Sequence, residues 1–312
     1  VVPVPAPSGT ALAIDAGSVA DVRCEGRECR VEGANDRTMG ELVQAHPDLG
    51  ALEVLAGHPK SLAPLAALTK LYRFRIALCE GIVDRDFAFA KGWTELVELE
   101  LSNCDGFASL GPLGTLPKLE TVRLINTQLR TLDGLRGAPI TKLRVQSGVT
   151  DLAAIAAMTS LTELVLADLD GVHELPSLAK LAKLETLDVS TTDLVRFPDL
   201  APLVALKALR LSHVPKVTKL DGLSALPALA ELTIDWAGPL DLSALGKSDH
   251  VTYLHLEGTK AKDLLPLAGW KSLSVVIVAD DTPPALLAAI AKAKPTLRVQ
   301  TAKQAQLATR GP

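Results

Sequence analysis

Apolar residues recur along the chain in blocks, and the blocks repeat about every 22 residues. LTKLYRFRIALC at 68–79 and WTELVELELSNC at 93–104 show the shared skeleton, LxxLxxLxLxxC. Successive strand residues point to opposite faces, so the LxL portion reads as a short strand that sends two side chains the same way. Aligning the first of each pair gives Leu52, Phe74, Leu99, Val122, Leu143, Leu164, Leu187, Leu209, Leu232, Leu254, Val276 and Leu297, spaced 21 to 25 residues apart. Its mates, two residues on, are Val54, Ile76, Leu101, Leu124, Val145, Leu166, Val189, Leu211, Ile234, Leu256, Val278 and Val299. The segments between strands, such as SLAPLAAL and KLDGLSAL, are short and interrupted by Pro or Gly, which predicts single turns of 3₁₀ or α helix. One repeat cannot bury its own apolar edge. Stacking about twelve parallel strands on a concave face, with short turns on the convex face, makes a continuous core, so the expected fold is an α/β solenoid.

Both ends carry material that fits caps, which a solenoid needs to cover open edges. Residues 1–45 divide into a Pro-rich leader, VVPVPAPSGT, and an N-terminal cap. In that cap SVADVRCEGRECRVEG reads as a hairpin turning at Gly26-Arg27, and Thr38 opens a helix over MGELVQAH. The repeats occupy 46–281. At 282–312 a C-terminal cap is expected: a helix opened by Thr282 and its prolines, a last strand at LRV, and a tail.

The repeat resembles the 22-residue class of leucine-rich repeats, shared by bacterial internalins and a eukaryotic family of phosphatase regulators. DLSALGKSDHVTYLHLEGT and TLDGLRGAPITKLRV carry the likeness, which spans roughly residues 46 to 300. It implies a binding module and names no partner. The chain departs from the class at the motif's ninth position, usually Asn, which here holds Cys79, Cys104, Thr127, Gly148, Leu169, Thr192, Val214, Ala237, Thr259 and Asp281.

Composition narrows the picture. At 48% apolar but 3% aromatic, the interior is expected to be aliphatic, with rings too bulky for regular stacking; Trp93 and Trp270 fall at core Leu positions. Thirty-two basic and 36 acidic residues are scattered, giving a net charge of −4 and no basic stripe for nucleic acid. No stretch reaches the length of a membrane span. An initiator Met is missing, which fits a leader removed ahead of the Pro-rich stretch.

The four cysteines form two neighbouring pairs. Cys24 and Cys29 face each other across the hairpin, and Cys79 and Cys104 hold the same position in adjacent coils, about 4.8 Å apart. All four are disulfide candidates, the even count fitting an oxidising compartment; the second pair reads more readily as buried thiols filling the core.

Strand residues flanking the inward pair point to the concave face. One row runs through Glu53, Arg75, Glu100, Arg123, Arg144, Val165, Asp188, Arg210, Thr233, His255, Ile277 and Arg298, and a second through Arg73, Glu98, Lys142, Glu163, Glu231, Tyr253, Val275 and Thr296. Arg73, Arg75, Glu98, Glu100, Arg123 and Arg144 alternate in sign, so they form either self-neutralising pairs or a secondary binding surface. The better candidate surface is Arg210, Glu231, Asp235, Trp236, Tyr253, His255 and Glu257, because Tyr, Trp and Arg supply most interface hot spots. Trp236 reads alternatively as cover for the core edge. Val275 and Ile277 extend this patch as exposed apolar surface or lie under the cap.

His255 near Asp235 and Glu257 invites an acid–base or metal reading. The sequence offers no metal-ligand motif, phosphate loop or nucleophile elbow to go with it, and an open sheet excludes water poorly, so neither catalysis, a metal nor a cofactor is expected. The expectation is a non-enzymatic module binding a protein, or a glycan, through its concave face, as a monomer that is exported or held at a bacterial cell surface or in the periplasm. Alternatives are an intracellular regulatory scaffold docking on an enzyme, in the cytoplasm, and a structural envelope component.

Overall fold

A computed structural model describes residues 20–82, 87–217, 219–235, 241–243, 248–259 and 261–310, with side chains to 307. The chain forms two compact units, Val1–Ile140 and Thr141–Pro312.

The first unit opens with strands β1 (Asp21–Glu25) and β2 (Glu28–Glu32), antiparallel, with Cys24 opposite Cys29 as the Gly26-Arg27 turn predicts. Helix α1 (Asp36–Ala45) follows. It starts two residues before the expected Thr38, because Asn35 is the cap: its side-chain oxygen accepts the Thr38 N–H at 3.0 Å. Strands β3 (Ala51–Leu55), β4 (Arg73–Cys79), β5 (Glu98–Cys104) and β6 (Thr121–Ile125) then run parallel. Strand β2 pairs with β3 in the same register, Cys29 beside Leu52 and Val31 beside Val54, so the hairpin is also the first coil.

The second unit contains β7 (Lys142–Gln146), β8 (Glu163–Leu169), β9 (Thr186–Thr192), β10 (Ala208–Ser212), β11 (Glu231–Asp235), β12 (Tyr253–Leu256), β13 (Val275–Val278), helix α2 (Pro284–Ala293), β14 (Arg298–Thr301) and helix α3 (Ala302–Arg310). Its strands are parallel. Three expectations at this end are corrected. Val276 pairs with Val299 and Val278 with Thr301, so β14 sits two residues from the alignment that matched Val276 with Leu297; Arg298 therefore falls in the row of Val275, and Gln300 lies beside Ile277. Thr282 does not cap α2. Its hydroxyl donates to the Ala279 carbonyl, and the helix starts from Pro283. The expected tail carries a helix, α3, which packs against β13 and β14.

The predicted inward pairs are the core: Leu52, Val54, Phe74, Ile76, Leu99, Leu101, Leu187 and Val189 are each at most 1% exposed. Burial of each such side chain contributes roughly 1.5–3 kcal/mol. Behind the strands, 3₁₀ turns such as Ala63–Ala67, Gly111–Thr115, Ala153–Ala157 and Leu265–Gly269 tuck apolar residues beneath the sheet, Leu65, Leu113, Ile155 and Leu267 among them. A Cβ at Gly114 would lie 2.1 Å from the Arg136 carbonyl oxygen, so consecutive turns there approach too closely for a side chain.

Rings are not excluded from the core. Trp93 and Trp270 are fully buried, and the Trp93 indole N–H donates to the Leu65 carbonyl at 3.0 Å. Phe74 meets Trp93 edge-on at 5.0 Å, and Phe87 stacks on Phe107 at 4.6 Å. These rings gather around the repeat from Phe74 to Leu99, whose 25 residues make it the longest.

Eight of the described coils also leave their strand through a non-glycine residue with left-handed backbone. Ala56, Leu78, Asn103 and Asn126 in the first unit, and Ser147, Asp168, Thr191 and His213 in the second, have φ between +48° and +63°. This conformation costs most residues energy, and only Asn and Asp here adopt it readily. It aims an N–H at the next strand: Ala56 donates to Ala77 and His213 to Asp235, at 3.0 and 2.9 Å. The following residue turns inward, placing Cys79, Cys104, Thr127, Leu169, Thr192, Val214 and Thr259 in the core. Some replace the missing Asn by reaching a backbone carbonyl: the Thr259 hydroxyl donates to Ile234 at 2.7 Å and the Cys104 thiol to Ile76 at 3.7 Å. Thr127 and Thr192 find no such partner among the described residues.

Candidate functional site

The expected surface begins with parallel pairing. Strand register sets Glu231 beside Tyr253 and Thr233 beside His255, with Arg210 flanking Thr233 on the other side. Alternation then puts Glu231, Thr233 and Asp235, and Tyr253, His255 and Glu257, on the outward face while Leu232, Ile234, Leu254 and Leu256 go inward. Six of the seven candidate residues are brought to one face. Trp236, with Ala237 of the ninth-position row, lies outside the described residues.

At the centre stands His255. Its Nε2 lies 3.3 Å from Glu257 Oε2 and 3.9 Å from Asp235 Oδ1, and the Tyr253 ring meets it edge-on at 6.4 Å. Both His255 Nε2 and Asp235 Oδ1 are shielded from water yet have no hydrogen-bond partner of good geometry among the described residues. Burial pushes the Asp235 carboxyl above its ordinary range; His255 opposes this and Glu257 adds to it. Burial, reinforced by Asp235 and Glu231, likewise raises the Tyr253 phenol. Arg210 contributes little to neutralisation: it reaches Glu231 at 3.9 Å with both side chains more than half exposed. Beside it on β9, burial raises the Asp188 carboxyl against the pull of Arg210 and Arg144.

Sequence reasoning missed His213 as a neighbour. It sits at the left-handed position after β10, its N–H on the Asp235 carbonyl, and its charge acts on the Asp235 carboxyl. The only sequence signal would have been one position per coil reserved for this turn. Ile277 takes the second of its two expected readings: it is 6% exposed, at the end of the sheet where α3 packs, and so adds no open apolar surface. Val275 remains half-buried.

The other charged row behaves as mutual neutralisation in the first unit. Arg75 pairs with Glu98 at 2.9 Å and Glu100 at 3.6 Å, and Arg123 bonds Glu98 and reaches Glu100 at 4.0 Å. Arg73 pairs with Glu28, whose other oxygen takes the Tyr72 hydroxyl. Burial pushes the Glu98 carboxyl up, but its bonds from Arg75 and Arg123 outweigh this and hold it below the usual range. Arg144 falls in the second unit, where its guanidinium reaches Gln146 at 3.4 Å.

Of the cysteines, Cys24 and Cys29 form a disulfide. The second candidate bridge is corrected: Cys79 and Cys104 are buried free thiols at paired strand positions. The hydrogen bond with Cys104, together with burial, pushes the Cys79 thiol up, which keeps it protonated. No helix among the described residues is long and apolar enough to cross a membrane.

No protein-family model matches the chain, and no curated relative is found. Solved structures do resemble it. An internalin, InlF, of Listeria monocytogenes aligns at 16% identity over 88% of this chain and 86% of its own, with a TM-score of 0.57. The functional domain of InlJ from the same organism, whose description notes a cysteine ladder, aligns at 20% identity over 78% of this chain and 56% of its own, TM-score 0.48. A leucine-rich repeat protein of Leptospira interrogans aligns at 15% identity over 88% and 89%, TM-score 0.44. At such identities the InlF likeness speaks for the fold: this is a leucine-rich repeat protein of internalin-like architecture.

Proposed function

We propose that the chain is a non-enzymatic binding module that engages a protein partner through the outward face of β10 to β12, using Arg210, Glu231, Asp235, Tyr253, His255 and Glu257. One observation carries the reading: Asp235 Oδ1 and His255 Nε2 are shielded from water without good partners, beside an aromatic ring on an open face. Buried polar atoms left unpaired cost roughly 1–3 kcal/mol each, which a partner's donors and acceptors can return. An acid–base reading of His255 is weaker, since the open face offers no enclosure to exclude water. A protein is favoured over a glycan because Tyr253 and Arg210 are residue types enriched at protein hot spots and the face is otherwise charged.

An exported or cell-surface setting in a bacterium is supported by the hairpin disulfide and the internalin-like fold. The same disulfide speaks against a cytoplasmic scaffold. In a pull-down from envelope fractions, a Tyr253→Ala, His255→Ala variant of matched stability should lose a specific protein that the parent retains, with affinity falling at least tenfold. Retention by both sinks this site and moves the candidate to Arg73, Arg75, Glu98, Glu100 and Arg123; capture by neither favours a structural envelope role.

A further inference from the structure

The disulfide of the first hairpin does not stand alone. His46 lies against it, and the ligand-capable atoms of Cys24, Cys29 and His46 all lie within 4.8 Å of one another. The imidazole is held there by backbone. His46 is the cap residue that ends α1; its N–H donates to Leu42 at 2.9 Å, and its carbonyl accepts from Leu49 at 3.2 Å. Its Nε2 is shielded from solvent and has no hydrogen-bond partner among the described residues. A buried, unpartnered imidazole nitrogen beside two sulfurs is the donor set of a soft to borderline metal ion, not of magnesium or calcium.

We propose that reduction of this disulfide creates a zinc site from Cys24, Cys29 and His46, so that the N-terminal hairpin is tied either by a covalent bridge or by a metal ion. Zinc holds sulfur at about 2.3 Å in tetrahedral geometry, which sets two thiolates roughly 3.8 Å apart. Opposed hairpin residues whose Cα atoms are 4.2 Å apart meet that spacing by side-chain rotation, without moving the strands. The fourth position is left for water or a ligand.

The exchange balances. A dithiol attacks the Cys24 sulfur, the less buried of the two, and frees Cys29 as a thiol. Its second sulfur then closes on the first, releasing Cys24 and leaving the reagent as a cyclic disulfide, two electrons having passed to the protein. Zinc then takes the place of the two thiol protons, which go to solvent. Among the described residues Cys79 and Cys104 gain no third ligand, so the buried thiol pair is not a competing site.

The test uses the full chain, oxidised or reduced with a phosphine, which does not compete for zinc. Each form is titrated with zinc against a chromophoric chelator, and with cobalt to read the thiolate-to-metal absorption band. The reduced chain should bind one equivalent and show the band, and the oxidised chain neither. His46→Ala should weaken zinc at least tenfold and Cys24→Ser at least a hundredfold, while the paired Cys79→Ser, Cys104→Ser variant binds as the parent does. Equal binding by the oxidised chain, unchanged affinity in His46→Ala, loss in the Cys79→Ser, Cys104→Ser variant, or no equivalent in the reduced parent each overturns the proposal. Should a variant fold poorly, the parent's two redox forms and the cobalt band still separate these outcomes.

Discussion

The outward faces of β4 to β6 and of β10 to β12 look alike in sequence, both being rows of Arg, Glu, Asp and Thr punctuated by few apolar residues. They differ in how the charges are answered. On β4 to β6, Glu98 and Glu100 lie between Arg75 and Arg123, each anion in reach of two cations, although Arg75 Nε also lacks a good hydrogen-bond partner among the described residues. On β11 and β12, one imidazole faces two carboxylates, and atoms of both Asp235 and His255 lack good partners. Density of charge is therefore a poor guide to a binding surface. A row whose carboxylates are each held by two guanidinium groups resists a partner, which would have to break pairs before making any; a row whose carboxylates share one imidazole gains more from one.

The interiors beneath the two faces should be equivalent, and this is where the largest effect is expected. Leu99→Ala in β5 and Leu232→Ala in β11 remove fully buried side chains, and each should cost about 2 to 5 kcal/mol in denaturant unfolding. Parent-like stability in either variant would show that the inward register fails at that coil. Next comes the self-neutralised face. Glu98→Gln strips the shared partner from Arg75 and Arg123 and should cost about 1 kcal/mol at neutral pH. Because the folded-state pKa of Glu98 is depressed, its contribution is present above the ordinary glutamate range and is lost as pH falls through the folded value. The gap between parent and variant should therefore close in strong acid, and a gap that persists there would assign the loss to packing.

Asp188 gives the smallest effect and the opposite sign. Burial raises its folded-state pKa, so its protonated form favours the fold below the ordinary aspartate range, and that advantage fades as pH rises through the folded value. Asp188→Asn should accordingly stabilise the protein at neutral pH by a few tenths of a kcal/mol, after discounting for solvent screening, and be neutral at low pH. Thermal scans across pH decide it; a destabilising substitution at neutral pH would mean that Arg144 and Arg210 outweigh burial.

Much of the fold was legible because the inward pair of each coil obeys a strict alternation that few other structures demand. The same alternation explains the slip at β14. A shift of two residues keeps every side chain on its face, so Leu297 and Val299 read as well as Val299 and Thr301, and only the pairing distinguishes them. Helix α3 was hidden because AKQAQLATR is short and polar on average, with Leu307 its single large apolar residue. At the site, neighbours across strands, such as Glu231 with Tyr253, followed from repeat length alone. The approach of His213 to Asp235 and the burial of Ile277 did not, since both depend on chain that leaves the strands. The left-handed row was equally silent, because Ala56, Leu78 and Thr191 carry no signature of that backbone.

That row makes the coil a stereochemical device. Mirror-image amino acids occupy positive φ as comfortably as natural ones occupy negative φ. At Ala56, Leu78 and Thr191, then, the L configuration is itself the strained choice, and a chemically assembled chain carrying the D enantiomer at these three positions would follow the same path with less opposition. The handedness of single atoms, placed at the exits of these strands, is thus a variable in this architecture separate from the identity of the side chains.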